Sequence, residues 1–215
     1  MMRVVRLLLA ATCVAGLAAP QVMAQAGSPQ PSADTAPPAP PRHGYTAADV
    51  RFMSGMIYHH AQAILIAGWA RSHGASPSVQ TLCDRIIASQ TDEINLLSRW
   101  LADRHEGVPH PDPAHAMMPE MESAHMMPGM LSATQLAQLD SARGPDFDER
   151  FLRFMIQHHQ GAITMVNDLF ASGAGEENPV YKMASSVFAD QTTEIERMQR
   201  MLAAELFAPT TSKQD

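Results

Sequence analysis

The chain has 215 residues, with 15 basic against 22 acidic side chains and a formal net charge of −7. This acidic balance argues against nucleic acid or an anionic membrane surface as a partner, and it suits a protein that attracts cations. Cys13 and Cys83 are the two cysteines. Because Cys13 lies in a predicted leader, no intramolecular disulfide is expected, and stability must come from a packed core.

Residues 1–24 have the pattern of a secretory signal peptide. Arg3 and Arg6 precede an apolar run over residues 7–17, and small residues flank a cleavage point within residues 22–24. The sequence therefore predicts a periplasmic or secreted protein.

Membrane attachment of the mature chain is not expected. A lipid on Cys13 needs a Leu-rich stretch before it, and Ala10-Ala11-Thr12 matches that pattern poorly. No later stretch approaches the roughly 20 continuous apolar residues that a transmembrane helix needs. Residues 25–44 are rich in Pro and Ala, which predicts an extended linker in front of the folded domain.

The folded part, residues 45–208, is predicted to be an internal duplication. The stretch from Asp49 to His60 returns from Asp148 to His159 with Asp, Arg, Phe, Met, Ile and both His in register. A second motif, Gln-Thr-Asp-Glu-Ile in one half and Gln-Thr-Thr-Glu-Ile in the other, extends the repeat over a pair of helices. The two halves are residues 45–104 and 146–207, joined by a Met/His-rich loop, residues 105–131, and followed by a disordered tail, residues 209–215.

Apolar periodicity and capping residues predict five helices and no strands. Thr46 with Asp49, and Ser132 with Gln135, resemble capping boxes, whereas Asp146 is predicted to cap the helix that carries the second His-His pair. Two amphipathic αα-hairpins bury their apolar faces most simply against each other, so the predicted fold is an all-α four-helix bundle with a short helix between the halves. The predicted helices are about 47–72, 77–103, 133–142, 147–171 and 179–207.

Each copy of the repeat places methionine beside histidine on a predicted buried helix face. In the first copy Met56 lies three and four residues before His59 and His60, a spacing that brings side chains onto one face. Imidazole binds several transition metals, whereas thioether sulfur selects Cu(I) and similar soft ions. These positions predict a copper or silver site whose candidate ligands are Met53, Met56, His59, His60, Met155, His158 and His159.

Four further polar residues, Gln90, Glu93, Gln191 and Glu194, fall on the apolar stripes of the partner helices. Buried polar groups need partners. We expect them either to ligate a metal directly or to accept hydrogen bonds from the imidazoles and fix their orientation. A di-iron or di-manganese carboxylate enzyme is the alternative, but its signature places Glu-x-x-His on two helices, and no predicted helix of this chain carries that motif.

The loop between the halves is a separate signal. An exposed methionine cluster has no core to fill, and a flexible Met/His segment would chelate Cu(I) with little geometric demand. The alternative is a linker of biased composition. The candidate loop ligands are His115, Met117, Met118, Met121, His125, Met126, Met127 and Met130.

Nucleophilic catalysis has little support in the sequence. Cys83 lies on an apolar stripe without a basic neighbour on the same face, which predicts an inert core thiol and leaves a thiolate ligand role open. No Gly-rich phosphate loop or serine-nucleophile elbow is present in the sequence. A module without metal, in which the buried His, Gln and Glu only specify helix register, is therefore the second alternative.

The repeated motifs resemble a known bacterial family. Phe-Met-x-x-Met-Ile-x-His-His-x-x-Ala-Ile in the first half and Phe-Leu-x-x-Met-Ile-x-His-His-Gln-Gly-Ala-Ile in the second are each followed by Gln-x-x-Glu-Ile. Over residues 45–206 they are similar to domain-of-unknown-function family 305. The resemblance implies a ferritin-like fold and, by analogy with the secreted CopM-like members, binding of Cu(I) and Ag(I) through Met and His in support of copper tolerance.

Together these patterns predict a protein that buffers or carries metal ions outside the cytoplasm and is not an enzyme. Copper as Cu(I) is the expected ion, silver is the second choice, and iron or manganese would accompany the enzyme alternative. A periplasmic copper exporter or oxidase is the expected protein partner.

Overall fold

The computed structural model describes residues 44–111 and 127–206, which form five α-helices. The predicted signal peptide, Cys13, the linker up to residue 43, loop residues 112–126 and the tail lie outside the described residues. Among the described helices, none combines the length and the apolar character that crossing a membrane requires. The helices are α1 (Ala47–Ala67), α2 (Pro77–Ala102), α3 (Ala133–Ser141), α4 (Pro145–Ala171) and α5 (Asn178–Leu206).

The helices pack as two hairpins. Helix α1 packs along α2 and α4 along α5, the two hairpins meet through α1 and α4, and the short α3 rests on α4. The prediction of an all-α fold built from two αα-hairpins is thus confirmed, and its ferritin-like character stays a prediction.

Local sequence signals account for most helix starts. The predicted capping boxes are present at Thr46 with Asp49 and at Ser132 with Gln135, and Ser76 caps α2 ahead of Pro77. A side chain at the N-cap binds backbone N–H groups that have no partner in the first turn, so these starts depend only on neighbouring residues.

Two predicted helix boundaries were wrong. Helix α1 ends at Ala67 because glycine is a weak helix former at position 68, and the next N–H group, of Trp69, bonds the closer carbonyl of Ile66. Helix α4 begins at Pro145 after Gly144, whose φ is +56°, and not after a cap by Asp146. Proline is favoured at the first helical position, since it has no N–H to satisfy there.

The aspartate that opens each repeat ties its hairpin to a loop of the other hairpin. Asp49 Oδ1 accepts a hydrogen bond from the Gly175 backbone N–H at 2.7 Å, and Asp148 Oδ2 accepts one from the Ser76 N–H at 3.0 Å. Both aspartates are buried. The two copies therefore exchange equivalent contacts, which explains why both retain Asp at this position.

Asp49→Ala is expected to destabilise the protein by about 2–4 kcal/mol, because it removes the capping-box hydrogen bond that Asp49 Oδ2 accepts from the Thr46 N–H and leaves the buried Gly175 N–H without a partner. Urea unfolding measures the difference. Asp146→Ala is the matched control: its carboxylate is exposed and pairs with Arg150 one helical turn away, so its loss should cost about 0.5 kcal/mol. Equal losses for the two variants would contradict the assigned role of Asp49.

Candidate metal centre

A layer of polar side chains divides the apolar core into two clusters. Cluster I contains Ala63 of α1 and Met155 of α4, and cluster II contains Met56 of α1 and Ala162 of α4. Because the N-terminal half of α1 shares a cluster with the C-terminal half of α4, the two helices run antiparallel, with the repeated histidines at the same level. We call the following set the polar layer: His59, His60, Gln90, Glu93, His158, His159, Gln191 and Glu194.

The residues of the polar layer are those for which helical spacing predicted polar side chains on buried helix faces. All four imidazoles are 0% exposed, and both glutamines are 1% exposed. Glu194 is the most exposed member, with 19% of its side chain accessible. Helical phase alone therefore brings polar groups from both hairpins into the interior.

Within each hairpin one histidine contacts a glutamate. His60 Nε2 lies 2.6 Å from Glu93 Oε2, and His159 Nε2 lies 2.6 Å from Glu194 Oε2. The second contact is a well-aligned hydrogen bond, whereas the first lacks that alignment. In both cases a carboxylate oxygen lies beside Nε2, and Nδ1 has no hydrogen-bond partner. This is how carboxylates orient metal-binding imidazoles in proteins.

The other two histidines meet each other where α1 faces α4. The ring centroids of His59 and His158 are 3.9 Å apart, with the planes inclined by 39°. His59 Nε2 donates to the Pro128 carbonyl at 3.1 Å, and its Nδ1 has no partner. Neither nitrogen of His158 is hydrogen-bonded. A buried polar atom without a partner costs about 1–3 kcal/mol, so packing alone does not account for these rings.

Burial keeps this pair of imidazoles neutral. It lowers the pKa of His59 to about 3, and the neighbouring His60 acts in the same direction. Burial likewise lowers the pKa of His158 well below its usual value, with His59 as the next cause. Neutral imidazole is the form that binds metal.

The stability of the metal-free protein is expected to fall as the pH is lowered from about 6.5 towards 3. In this window the unfolded chain takes up protons at positions 59 and 158 while the folded chain does not, so protons favour the unfolded state. Each unit of pKa difference corresponds to about 1.4 kcal/mol. Urea unfolding between pH 7 and pH 4 measures the slope, which the double variant His59→Leu/His158→Leu should reduce. An unchanged slope in that variant would contradict the assignment.

The glutamines add to the unpaired polar atoms. Both amide atoms of Gln90 and the Oε1 of Gln191 have no hydrogen-bond partner. Native cores leave few buried polar groups unpaired. The polar layer thus holds several donors and acceptors that an ion, or groups bound with it, would satisfy.

The described side chains are not already arranged as a complete site. Within residues 44–111 and 127–206, no group of three or more His, Cys, Asp or Glu stands close enough to hold a metal ion. A site here needs other ligands or a shift of the rings. The predicted methionine ligands Met53, Met56 and Met155 are at most 1% exposed and belong to the apolar clusters on either side of the layer.

A short segment, residues 127–131, lies over the seam between α1 and α4; we call it the strap. The Gln62 side chain exchanges two hydrogen bonds with the Leu131 backbone, at 2.8 and 3.1 Å. Gly161 of α4 lies against the strap so closely that a Cβ there would stand 2.5 Å from the Gly129 Cα, and closer still to the Pro128 carbonyl. The strap therefore covers the His59–His158 pair.

Sequence reasoning missed the strap, although the repeat contains a signal for it. In the alignment of the two copies Gln62 corresponds to Gly161. One residue binds the strap backbone and the other leaves room for it. The copies diverge where a single segment crosses both of them.

Two of the predicted loop ligands lie within the described residues, and the other six lie outside them. Met127 and Met130 lie in the strap and are partly buried. The other predicted loop ligands lie outside the described residues: His115, Met117, Met118, Met121, His125 and Met126.

Cys83 is a buried thiol, as predicted. It is 1% exposed within cluster I, and burial raises its pKa to about 12. A protonated thiol is neither a good nucleophile nor a good metal ligand.

The fold and the layer define a class of protein: two helical hairpins, each with a pair of buried histidines. Residues 49–202 match the model of the family described as "Domain of unknown function (DUF305)". The chain belongs to this family.

Solved structures agree with this assignment. The crystal structure of a DUF305 fragment from Deinococcus radiodurans is 28% identical with a TM-score of 0.62, covering 75% of this chain and 99% of that one. CopM in its Cu(I)-bound form is 27% identical with a TM-score of 0.56, covering 74% of this chain and 97% of CopM. CopM in its Cu(II)-bound form is 30% identical with a TM-score of 0.56, covering 72% and 95%.

A curated relative matches over a shorter stretch. Uncharacterized protein L153 of Acanthamoeba polyphaga mimivirus is 36% identical over 56 residues, which is 26% of this chain and 37% of the viral protein. This chain therefore spans well under half of that relative's length.

Proposed function

We propose that the protein binds soft metal ions, copper and silver, outside the cytoplasm and acts as a buffer or carrier in metal tolerance, without catalysing a reaction. One observation carries the proposal. The buried imidazoles of His59 and His158 are in contact, are neutral because burial lowers their pKa, and have three nitrogens without a hydrogen-bond partner.

Similarity to metal-bound relatives supports the choice of ion. CopM, which is 25–30% identical to this chain, has been solved with Cu(I), Cu(II) and silver bound. Imidazole accepts both oxidation states of copper, and thioether sulfur favours Cu(I) and Ag(I). The extracytoplasmic location rests on the signal-like residues 1–24.

The residues have distinct proposed roles. His59 and His158 ligate the ion, while Glu93 and Glu194 hold the rings of His60 and His159 so that each Nδ1 faces away from its carboxylate. The methionines and histidines of residues 115–130 capture the ion from solution. We propose delivery to a periplasmic copper exporter or oxidase, for which the acidic surface of the chain suits a basic docking face.

A module without metal remains the second candidate, favoured by one observation. His159 already has a hydrogen-bonded carboxylate, that of Glu194 at 2.6 Å, so part of the polar layer is satisfied without an ion. In that case the layer would only fix the register of the hairpins. A di-iron or di-manganese enzyme has less support, because the layer contains only two carboxylates, and each already contacts an imidazole.

Silver titration of the full chain separates the two functions. A metal-binding protein should take up Ag(I) in a defined ratio and melt at a higher temperature, because an ion selective for the native state stabilises it. The variant His59→Ala/His158→Ala should lose this rise, and a chain lacking residues 115–126 should keep it. Unchanged melting of the wild-type chain in Ag(I) and in Cu(I) would favour the module without metal.

A further inference from the structure

Two methionine side chains converge on a glycine of α1 just outside the polar layer. The point where a Cβ on Gly55 would stand lies 3.3 Å from Met127 Sδ of the strap and 3.3 Å from Met165 Cε of α4. Both side chains therefore border the same small space beside Gly55. The glycine leaves between them the space that a side chain would otherwise fill.

The two copies of the repeat differ at this place. In the aligned second copy Gly55 becomes Phe154, and Met165 corresponds to Ile66 of the first copy. Ile66 is a buried member of cluster I, and Phe154 packs against the same cluster. One end of the α1–α4 contact thus has an aromatic and an aliphatic side chain, Phe154 and Ile66. The other end has Gly55 with two methionine side chains beside it.

The thioether pair is open to solvent, in contrast to the polar layer. Met127 and Met165 are partly exposed, and a groove of about 250 Å³, lined by Arg51, Phe52, Met165 and Asp168 among others, leads to Met165. The imidazoles of the layer are fully buried.

The pair is also adjacent to the histidines. Gly55 lies one turn before His59 on the same face of α1. Met127 directly precedes Pro128, whose carbonyl accepts the hydrogen bond from His59 Nε2. An ion held by the two thioethers would therefore lie about one helical turn from the buried His59–His158 pair.

We propose that Met127 and Met165 form a soft-metal site over Gly55, through which a monovalent copper or silver ion reaches the buried histidines. Thioether sulfur selects such ions. A d¹⁰ ion has no geometric preference from its d electrons, so two flexible side chains suffice to bind it transiently. The site rests on the proposed function, which it deepens by adding Met165 as a ligand.

The test uses the full chain labelled with ¹³C at the methionine methyl groups and titrated with Ag(I). The methyl signals of Met127 and Met165, assigned from Met127→Leu and Met165→Leu, should shift together within one equivalent. Loss of a residue that hydrogen-bonds a metal ligand typically lowers metal affinity about 10–100-fold. Met165→Leu, which removes a direct ligand, should lower the affinity of this step at least about tenfold. Gly55→Ala, which fills the space, should act in the same direction.

Met201→Leu is the matched control, because Met201 is another partly buried methionine, packed on cluster I. It should leave the Ag(I) affinity unchanged, and the leucine variants should fold because their volumes are conserved. A Met165 signal that stays in place while Ag(I) binds elsewhere would overturn this site and leave the proposed function standing. Absence of any Ag(I) uptake would overturn both.

Discussion

Replacing His158 with leucine should stabilise the metal-free protein and at the same time weaken its metal binding. The ring is fully buried, and neither nitrogen has a hydrogen-bond partner, so leucine removes a desolvation cost without removing a hydrogen bond. A gain of about 1–2 kcal/mol in the free energy of unfolding is expected. The Ag(I) affinity should fall at least about tenfold, since a ligand is lost. Urea unfolding and Ag(I) titration measure the two effects.

His73→Leu is the matched control for this variant. His73 is also buried, but its ring nitrogens bond the Trp69 carbonyl at 3.0 Å and Asp140 at 3.0 and 3.2 Å. Its replacement should destabilise the protein by about 1–3 kcal/mol and leave Ag(I) affinity unchanged. If His158→Leu behaved like His73→Leu in both measurements, the polar layer would be structural.

Adding a single methyl group at position 161, in the variant Gly161→Ala, is expected to destabilise the protein and displace the strap. The added Cβ would lie within 2.5 Å of the Gly129 Cα, and closer to Pro128, and both of these are backbone atoms that no side-chain rotation can move aside. The strap must shift, at a cost of about 1–3 kcal/mol for the overpacking, and the paired hydrogen bonds of Gln62 to Leu131 weaken with it. Urea unfolding measures the loss of stability.

A displaced strap should also change access to the histidines. Because His59 Nε2 donates to Pro128, moving the strap frees this nitrogen, and Ag(I) should bind faster to Gly161→Ala than to the wild-type chain. Gly107→Ala is the control, since no atom lies within 4 Å of a Cβ there. Wild-type stability and binding rate in Gly161→Ala would contradict the position of the strap.

The helices were predictable because their signals are local. Capping at Thr46 and Ser132 depends on residues three positions away, and the buried faces follow from a period of 3.6 residues. The boundaries that failed involve glycine and proline at positions 68 and 145, where backbone freedom and a missing N–H decide the end of a helix. These effects act on the first or last turn only, so the faces were still placed correctly.

The candidate site was predictable only in part. Helical phase placed the four histidines and their polar neighbours in the interior, but it could not show which rings meet. The contact of His59 with His158 depends on how two hairpins dock, and the bond from Gln62 to Leu131 spans 69 residues. Differences between the copies contain an unused signal for the strap, because Gly55 and Gly161, which lie against strap residues, do not have the side chains of their repeat partners Phe154 and Gln62.

The polar layer also conflicts with ordinary core design. Uncharged imidazoles without partners reduce stability, whereas leucine at the same positions would pack without that cost. Violations of this kind are expected at functional sites, where other parts of the structure offset them. Two apolar clusters flank the layer and supply that compensation.

X-ray absorption spectroscopy of the full chain loaded with one equivalent of Cu(I) tests the central claim most directly. A site at His59 and His158 predicts imidazole nitrogen in the copper coordination shell, and the variant His59→Ala/His158→Ala should lose that contribution. A spectrum with sulfur ligands alone, identical in the wild-type chain and the variant, would contradict the claim that the buried histidines hold the metal.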